Sequence, residues 1–194
     1  ITGTKKCVVP QDNLYISEDT VLCPGIYSLT DTGRDGLIII NAEGVTLEGR
    51  NTTLVQADLG YFQIAIRNPG FNDVTIKNIE IKDFYKGIEL TSSNNNLITN
   101  VTISSWVRYC MGIHLLQDSS NNIIIDNIIK DLWGDAVYLQ YSGNNTIMNN
   151  RITHIGSGNM YIEWSHGNTI KTNIINDAST LDLEHSNENI LTGN

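Results

Sequence analysis

A pair of small polar residues five positions apart recurs along the chain: Gly44/Gly49, Asp73/Asn78, Asn95/Asn100, Asn122/Asn127, Asn145/Asn150, Asn168/Asn173 and Asn189/Asn194. Between successive pairs lies an apolar-x-apolar triplet. Its copies are Ile64-Ala65-Ile66, Ile88-Glu89-Leu90, Ile113-His114-Leu115, Val137-Tyr138-Leu139, Met160-Tyr161-Ile162 and Leu181-Asp182-Leu183. Two motifs in constant order define a repeat, and the repeat limits the fold more than any other feature. Its last pairs begin 23, 23 and 21 residues after the pair before. Apolar and polar residues alternate over three to five positions, which is the period of a strand, and no stretch sustains a helical period. A unit of this length holding two or three short strands suits one coil of a β-solenoid, stacked on the next at about 4.8 Å. Leucine-rich repeats share the period but need a leucine-dominated strand and a helical return.

Composition fits this reading. The 194 residues include 24 Asn and 28 Ile, and β-branched side chains suit a pleated, stacked interior. Asn tolerates the left-handed backbone that a tight corner demands. An Asn repeated at one place in every coil also lies one strand spacing from its copy, so its amide could donate to the coil below and accept from the coil above. The expected ladder is Asn78, Asn95, Asn100, Asn122, Asn127, Asn145, Asn150, Asn168, Asn173, Asn189 and Asn194. The net charge of −9 argues against a nucleic-acid partner. The longest apolar runs are four residues, as in Leu37-Ile38-Ile39-Ile40, too short for membrane insertion.

Residues 1–36 lack the repeat and read as an N-terminal cap to coils over 37–194, in a single domain. Cys7 and Cys23 bracket a short segment of small strands and read as a disulfide, the alternative being two buried thiols. Cys110 reads as a buried apolar filler. The opening at Ile1, without a charged-then-apolar leader, is the form expected of a processed extracellular or cell-surface chain.

The units Ser120-Asn121-Asn122-Ile123-Ile124 and Gly143-Asn144-Asn145-Thr146-Ile147-Met148-Asn149-Asn150, each followed by a strand triplet, resemble right-handed parallel β-helix repeats. Such repeats occur in NosD-like proteins, in pectate-lyase-like enzymes and in archaeal and bacterial surface proteins. The cysteine-bracketed cap followed by Gly44-Val45-Thr46-Leu47-Glu48-Gly49 is similar to the opening coil of secreted members. The resemblance implies an all-β, single-stranded right-handed parallel β-helix of about seven coils. It implies no particular activity, because this fold hosts lyases, hydrolases, epimerases, adhesins and structural proteins. Polygalacturonase-like Arg151-Ile152-Thr153 and Ser165-His166-Gly167 are near misses in the wrong order, and the pectate-lyase and epimerase motifs are missing. No catalytic residue is therefore assigned.

Side chains alternate across a strand, so Glu89, His114, Tyr138, Tyr161 and Asp182 are expected to form one exposed column. Thr91, Leu116, Gln140, Glu163 and Glu184 would form the next, with Tyr141, Trp164 and His185 at the strand ends. This strip is the candidate ligand or interface surface. His114, His154, His166 and His185 lack ligand spacing, so no metal or other cofactor is expected. Sequons stand at Asn51, Asn100 and Asn144. Asn51 and Asn144 are candidate glycosylation sites, while Asn100 is set aside as a ladder member. The sequence ends on a ladder position without a capping segment, so further coils or another molecule would have to cover that edge. The function expected first is a non-enzymatic extracellular structural protein that self-associates, head to tail, in a filament or surface layer. The alternative is a domain that binds or cleaves polysaccharide through the Tyr138, Tyr161 and Trp164 strip.

Overall fold

Aliphatic residues at matching positions of each repeat stack into three continuous columns, and the fold is built around them. In the computed structural model, which describes residues 6–58, 60, 62–156, 158, 160–176 and 180–194, nineteen strands pair in parallel as one coiled sheet of about seven turns. Each turn has three faces. The first face runs through Leu14–Ile16, Ile38–Ile40, Ile64–Asn68, Lys86–Thr91, 111–116, 137–140, Met160–Glu163 and Leu181–Glu184. Its inward column is Leu14, Ile38, Ile66, Ile88, Ile113, Val137, Met160 and Leu181. The second face stacks Leu47, Ile76, Ile98, Ile124, Ile147, Ile170 and Leu191. The third stacks Leu54, Ile81, Ile103, Ile129, Ile152 and Ile175. Burying each such side chain contributes roughly 1.5–3 kcal/mol, and the repetition makes the core continuous along the axis.

The stretch expected to be a cap contains a rung of its own. Leu14–Ile16, Thr20–Val21 and Gly25–Leu29 pair with the three faces of the next turn. The Cys7–Cys23 disulfide fastens the segment before them, where Val8 bridges Leu22. Such a bond is the mark of an oxidising, non-cytoplasmic setting. Cys110 is a buried free thiol, and burial raises its pKa. Among the described residues no helix is long and apolar enough to cross a membrane.

The corners correct the register expected for the asparagines. Two jobs assigned to one residue are divided between neighbours. Asp73, Asn95, Asn121 and Asn144 take the left-handed backbone before the second face, with φ of 57–58°. Asn78, Asn100, Asp126, Asn149 and Thr172 do so before the third, with φ of 51–58°. The following residue turns inward and is buried: Asn96, Asn122, Asn145 and Asn168 at one corner, Asn127, Asn150 and Asn173 at the other. Asn95 thus yields its expected place to Asn96. Asn78 and Asn100 lie on the outer side, where the Asn100 amide donates to Asn78 and the Asn78 amide to Glu48 at 2.9 Å.

The bonds run from amide to amide, Asn96 Nδ2 donating to Asn122 Oδ1 and Nδ2 of Asn127, Asn150 and Asn173 to Oδ1 of Asn150, Asn173 and Asn194 at 2.9–3.0 Å, and they also engage the backbone. The backbone N–H of Asn122 donates to Asn145 Oδ1 at 2.8 Å, while Asn145 Nδ2 donates to the Ser119 carbonyl at 3.0 Å. Asn96 to Asn122, Asn145 to Asn168 and Asn168 to Asn189 repeat the first contact, each at 2.8 Å. At the other corner Val101, Asn127, Asn150 and Asn173 donate in turn to Asn127, Asn150, Asn173 and Asn194 at 2.9–3.0 Å. Each side chain therefore grips the backbone of the preceding coil, satisfying groups that a corner would otherwise bury unpaired.

Candidate functional site

Parallel register places the outward residues of the first face in rows along the solenoid axis. One row runs Arg67, Glu89, His114, Tyr138, Tyr161, Asp182. Beside it run Thr91, Leu116, Gln140, Glu163 and Glu184. The structure thus brings the expected strip together, but it divides the strip into two parts.

The upper part is closed. Glu89 and His114, expected to be exposed, are 5% and 4% exposed. Outward from the sheet is not outward from the molecule here, because neighbouring side chains fold over the row. Arg67 Nε lies 3.4 Å from Glu89, Lys86 also pairs with it, and the His114 ring stacks on Tyr138 at 4.8 Å. Burial, helped by the nearby Lys86 charge, lowers the His114 pKa to about 3. The imidazole is neutral.

The lower part is open. Tyr138 donates to Glu163 at 2.6 Å and Gln140 Nε2 to the same carboxylate at 2.9 Å. Tyr161 donates one rung further on to Glu184. Burial and then the Glu163 bond raise the Tyr138 pKa, and the Glu184 bond raises that of Tyr161 to about 12. Asp135, pushed up by burial and by the charge of Asp182, shares a hollow of about 510 Å³ with Tyr161, Asp182 and Glu184. At the strand ends, Tyr141, Trp164 and His185 have φ of 49–50°, which turns their side chains off the sheet. Their rings stack, with centroids 6.3 Å and then 4.1 Å apart. Tyr141 and Trp164 border a second hollow of about 430 Å³, which Asp118, Asn144, His166 and Glu188 also line. Chemically the lower part offers carboxylate acceptors, an amide and aromatic edges in steps of one coil. No group of three or more His, Cys, Asp or Glu among the described residues is placed to hold a metal ion.

The sequons fall at corners. Asn51 and Asn144 are exposed, with φ of 65° and 57°. Asn100 is exposed as well, so the buried position for which it was set aside belongs to its neighbour Val101.

Two features escaped the sequence reading. One is a serine row, Ser93, Ser119, Ser142, Ser165 and Ser186, three residues ahead of the asparagine row. Its hydroxyls accept from the backbone of the coil before, as in Ser142 N–H to Ser165 at 2.9 Å and Ser165 N–H to Ser186 at 3.0 Å. The recurrent Ser-x-x-Asn would have revealed both the row and the correct register. The other is a group of exposed aromatics, Trp106, Tyr109 and Trp133, where the strand over Thr102–Leu116 shifts register against its neighbour.

A family model described as a right handed beta helix region matches residues 27–175. The match covers more than half of the chain, and the chain belongs to the right-handed β-helix family. Searches of curated proteins and of solved structures found no match.

Proposed function

We propose that this protein is an extracellular, non-enzymatic β-helix that binds an extended glycan along the lower part of its first face. The observation that supports the reading is the in-register run of Tyr138, Gln140, Tyr161, Glu163 and Glu184, flanked by Tyr141 and Trp164. Such a row repeats its donors and acceptors once per coil, which suits a polymer better than a compact ligand. Aromatic surface with a polar handle is what sugar rings and hydroxyls require. The sign of the charge narrows the class. Asp135, Glu163, Asp182 and Glu184 oppose a uronate-rich chain, so the glycan is neutral or carries amino sugars.

Affinity electrophoresis through gels containing a neutral glucan, chitosan or polygalacturonate tests this. Retardation is expected with the glucan or chitosan and not with polygalacturonate, and Trp164→Ala and Glu184→Gln should each weaken it. Equal mobility in all three gels would sink the proposal.

A further inference from the structure

An asparagine can carry an N-linked glycan only where one hydrogen of its Nδ2 is dispensable and faces outward. The buried ladder asparagines meet neither condition. Asn127 Nδ2 donates to the Ile98 carbonyl and to Asn150 Oδ1, each at 3.0 Å, and Asn150 Nδ2 to the Ile124 carbonyl and to Asn173 Oδ1 at 2.9 and 3.0 Å. Both hydrogens are engaged, and both side chains are buried. Asn100, in the sequon Asn100-Val101-Thr102, stands one residue outside that arrangement. With φ of 51° it turns the corner between the second and third faces, and Val101 takes the buried place. The Asn100 side chain is exposed, and among the described residues its Nδ2 has one partner, Asn78 Oδ1. A glycosylated amide keeps one N–H, so the bond to Asn78 and a glycan branch are compatible.

Thr102 completes the sequon from the outward row of the third face, in register with Glu80 and Ile128. It is half-buried. The Thr53 hydroxyl of the Asn51 sequon donates to Glu80 at 2.7 Å, whereas the Thr102 hydroxyl has no partner among the described residues. The corner also has room. Two coils earlier the strand over Thr46–Gln56 bulges, setting Gly49, Arg50 and Asn51 against the single residue Asn78. Arg50 and Asn51 take φ of 45° and 65° there. Beside the bulge opens a hollow of about 530 Å³, bordered by Asn51, Asn78, Asn100 and Thr102. A branch leaving Asn100 therefore enters open space.

We propose that Asn100 is an acceptor for N-linked glycosylation, beside the candidates Asn51 and Asn144. The donor is an oligosaccharide on a lipid diphosphate, and the catalyst is a transferase of the secretory route, a setting that the Cys7–Cys23 bond marks. Asn100 Nδ2 attacks the anomeric carbon and an N–C bond forms. The bond from that carbon to the diphosphate oxygen breaks, the lipid diphosphate leaves with the electron pair, and the amide gives one proton to a base of the transferase. The glycan stands on the corner opposite the first face and leaves the strip of that face open.

Secretion of the intact chain from a glycosylating yeast tests the site. Releasing the glycans with peptide N-glycosidase in heavy-oxygen water turns each occupied Asn into labelled Asp, which peptide mass mapping reads site by site against an enzyme-free control. Label is expected on the Asn100 peptide in most of the chains. Thr102→Val should abolish it there and leave the other sequons as they were. Circular dichroism melting checks that the variant folds. Should Thr102→Val fail that check, Asn100→Gln takes its place, read as the loss of one glycan from the intact mass. An Asn100 peptide without label in the secreted, folded chain overturns the proposal, as does label that survives Thr102→Val or an intact mass that Asn100→Gln leaves with every glycan.

Discussion

Neighbouring asparagines in this chain have opposite tolerances. Asn95 supplies a left-handed backbone, which glycine adopts at no steric cost, whereas Asn96 supplies an amide to a buried corner. Asn95→Gly should therefore change the denaturation midpoint little. Asn96→Ala should destabilise by about 1–3 kcal/mol, because the Val74 N–H loses its acceptor. Urea melts of the two variants side by side check the assignment. His114 gives a second test. Its ordinary pKa of 6.5 falls to about 3 on folding, because burial excludes the charged form. Above pH 6.5 both states are neutral and this side chain imposes no penalty. As pH falls from there, the unfolded chain takes up a proton that the folded one refuses, and stability drains until about pH 3 is passed, by at most about 1.4 kcal/mol per pH unit. His114→Phe, still able to stack on Tyr138, should flatten the melting temperature between pH 6 and 4. An unchanged slope would show that other groups dominate in that window.

At the scale of strands and turns, the stacked columns were readable because an interior of one aliphatic per face per coil leaves a period in the sequence. The triplets and five-residue pairs carried that period through to the correct fold. The exact corner did not follow in the run Asn94-Asn95-Asn96, where any of the three could hold the buried place and only the serine three residues ahead of Asn96 decides. Nor did the exposure of Glu89 and His114 follow, since alternation reports the side of a sheet and not what packs over it. The turns between the third and first faces were the least legible. Their lengths vary, and the close approaches within them leave no pattern. Gly134 is such a place: a Cβ there would stand 2.0 Å from the Cys110 carbonyl oxygen. Gly134→Ala should cost about 1–3 kcal/mol and displace the turn that carries Trp133. A thermal melt of the variant, compared with Gly156→Ala, where the tightest contact is 3.3 Å to the Leu132 carbonyl oxygen, should rank Gly134 as the more crowded of the two. Reducing Cys7–Cys23 should lower stability by about 3 kcal/mol through the loop it closes, measurable as a shift in urea midpoint with reductant.

Across the whole molecule, each coil touches only its neighbours, so stability is a sum of rung and interface contributions rather than of one central core. Damage to one rung should then loosen that region first. Hydrogen exchange on Asn145→Leu should show protection lost over 119–150 while the first coils stay closed, and uniform loss along the chain would mean that the solenoid melts as a unit. The bonds at the corners have a direction as well. Asn145 holds the coil of Asn122, Asn168 holds that of Asn145, and Asn189 holds that of Asn168. A chain that emerges amino end first, from a ribosome or a secretion pore, can latch each new turn onto finished structure the moment it arrives, like a zip drawn from one side.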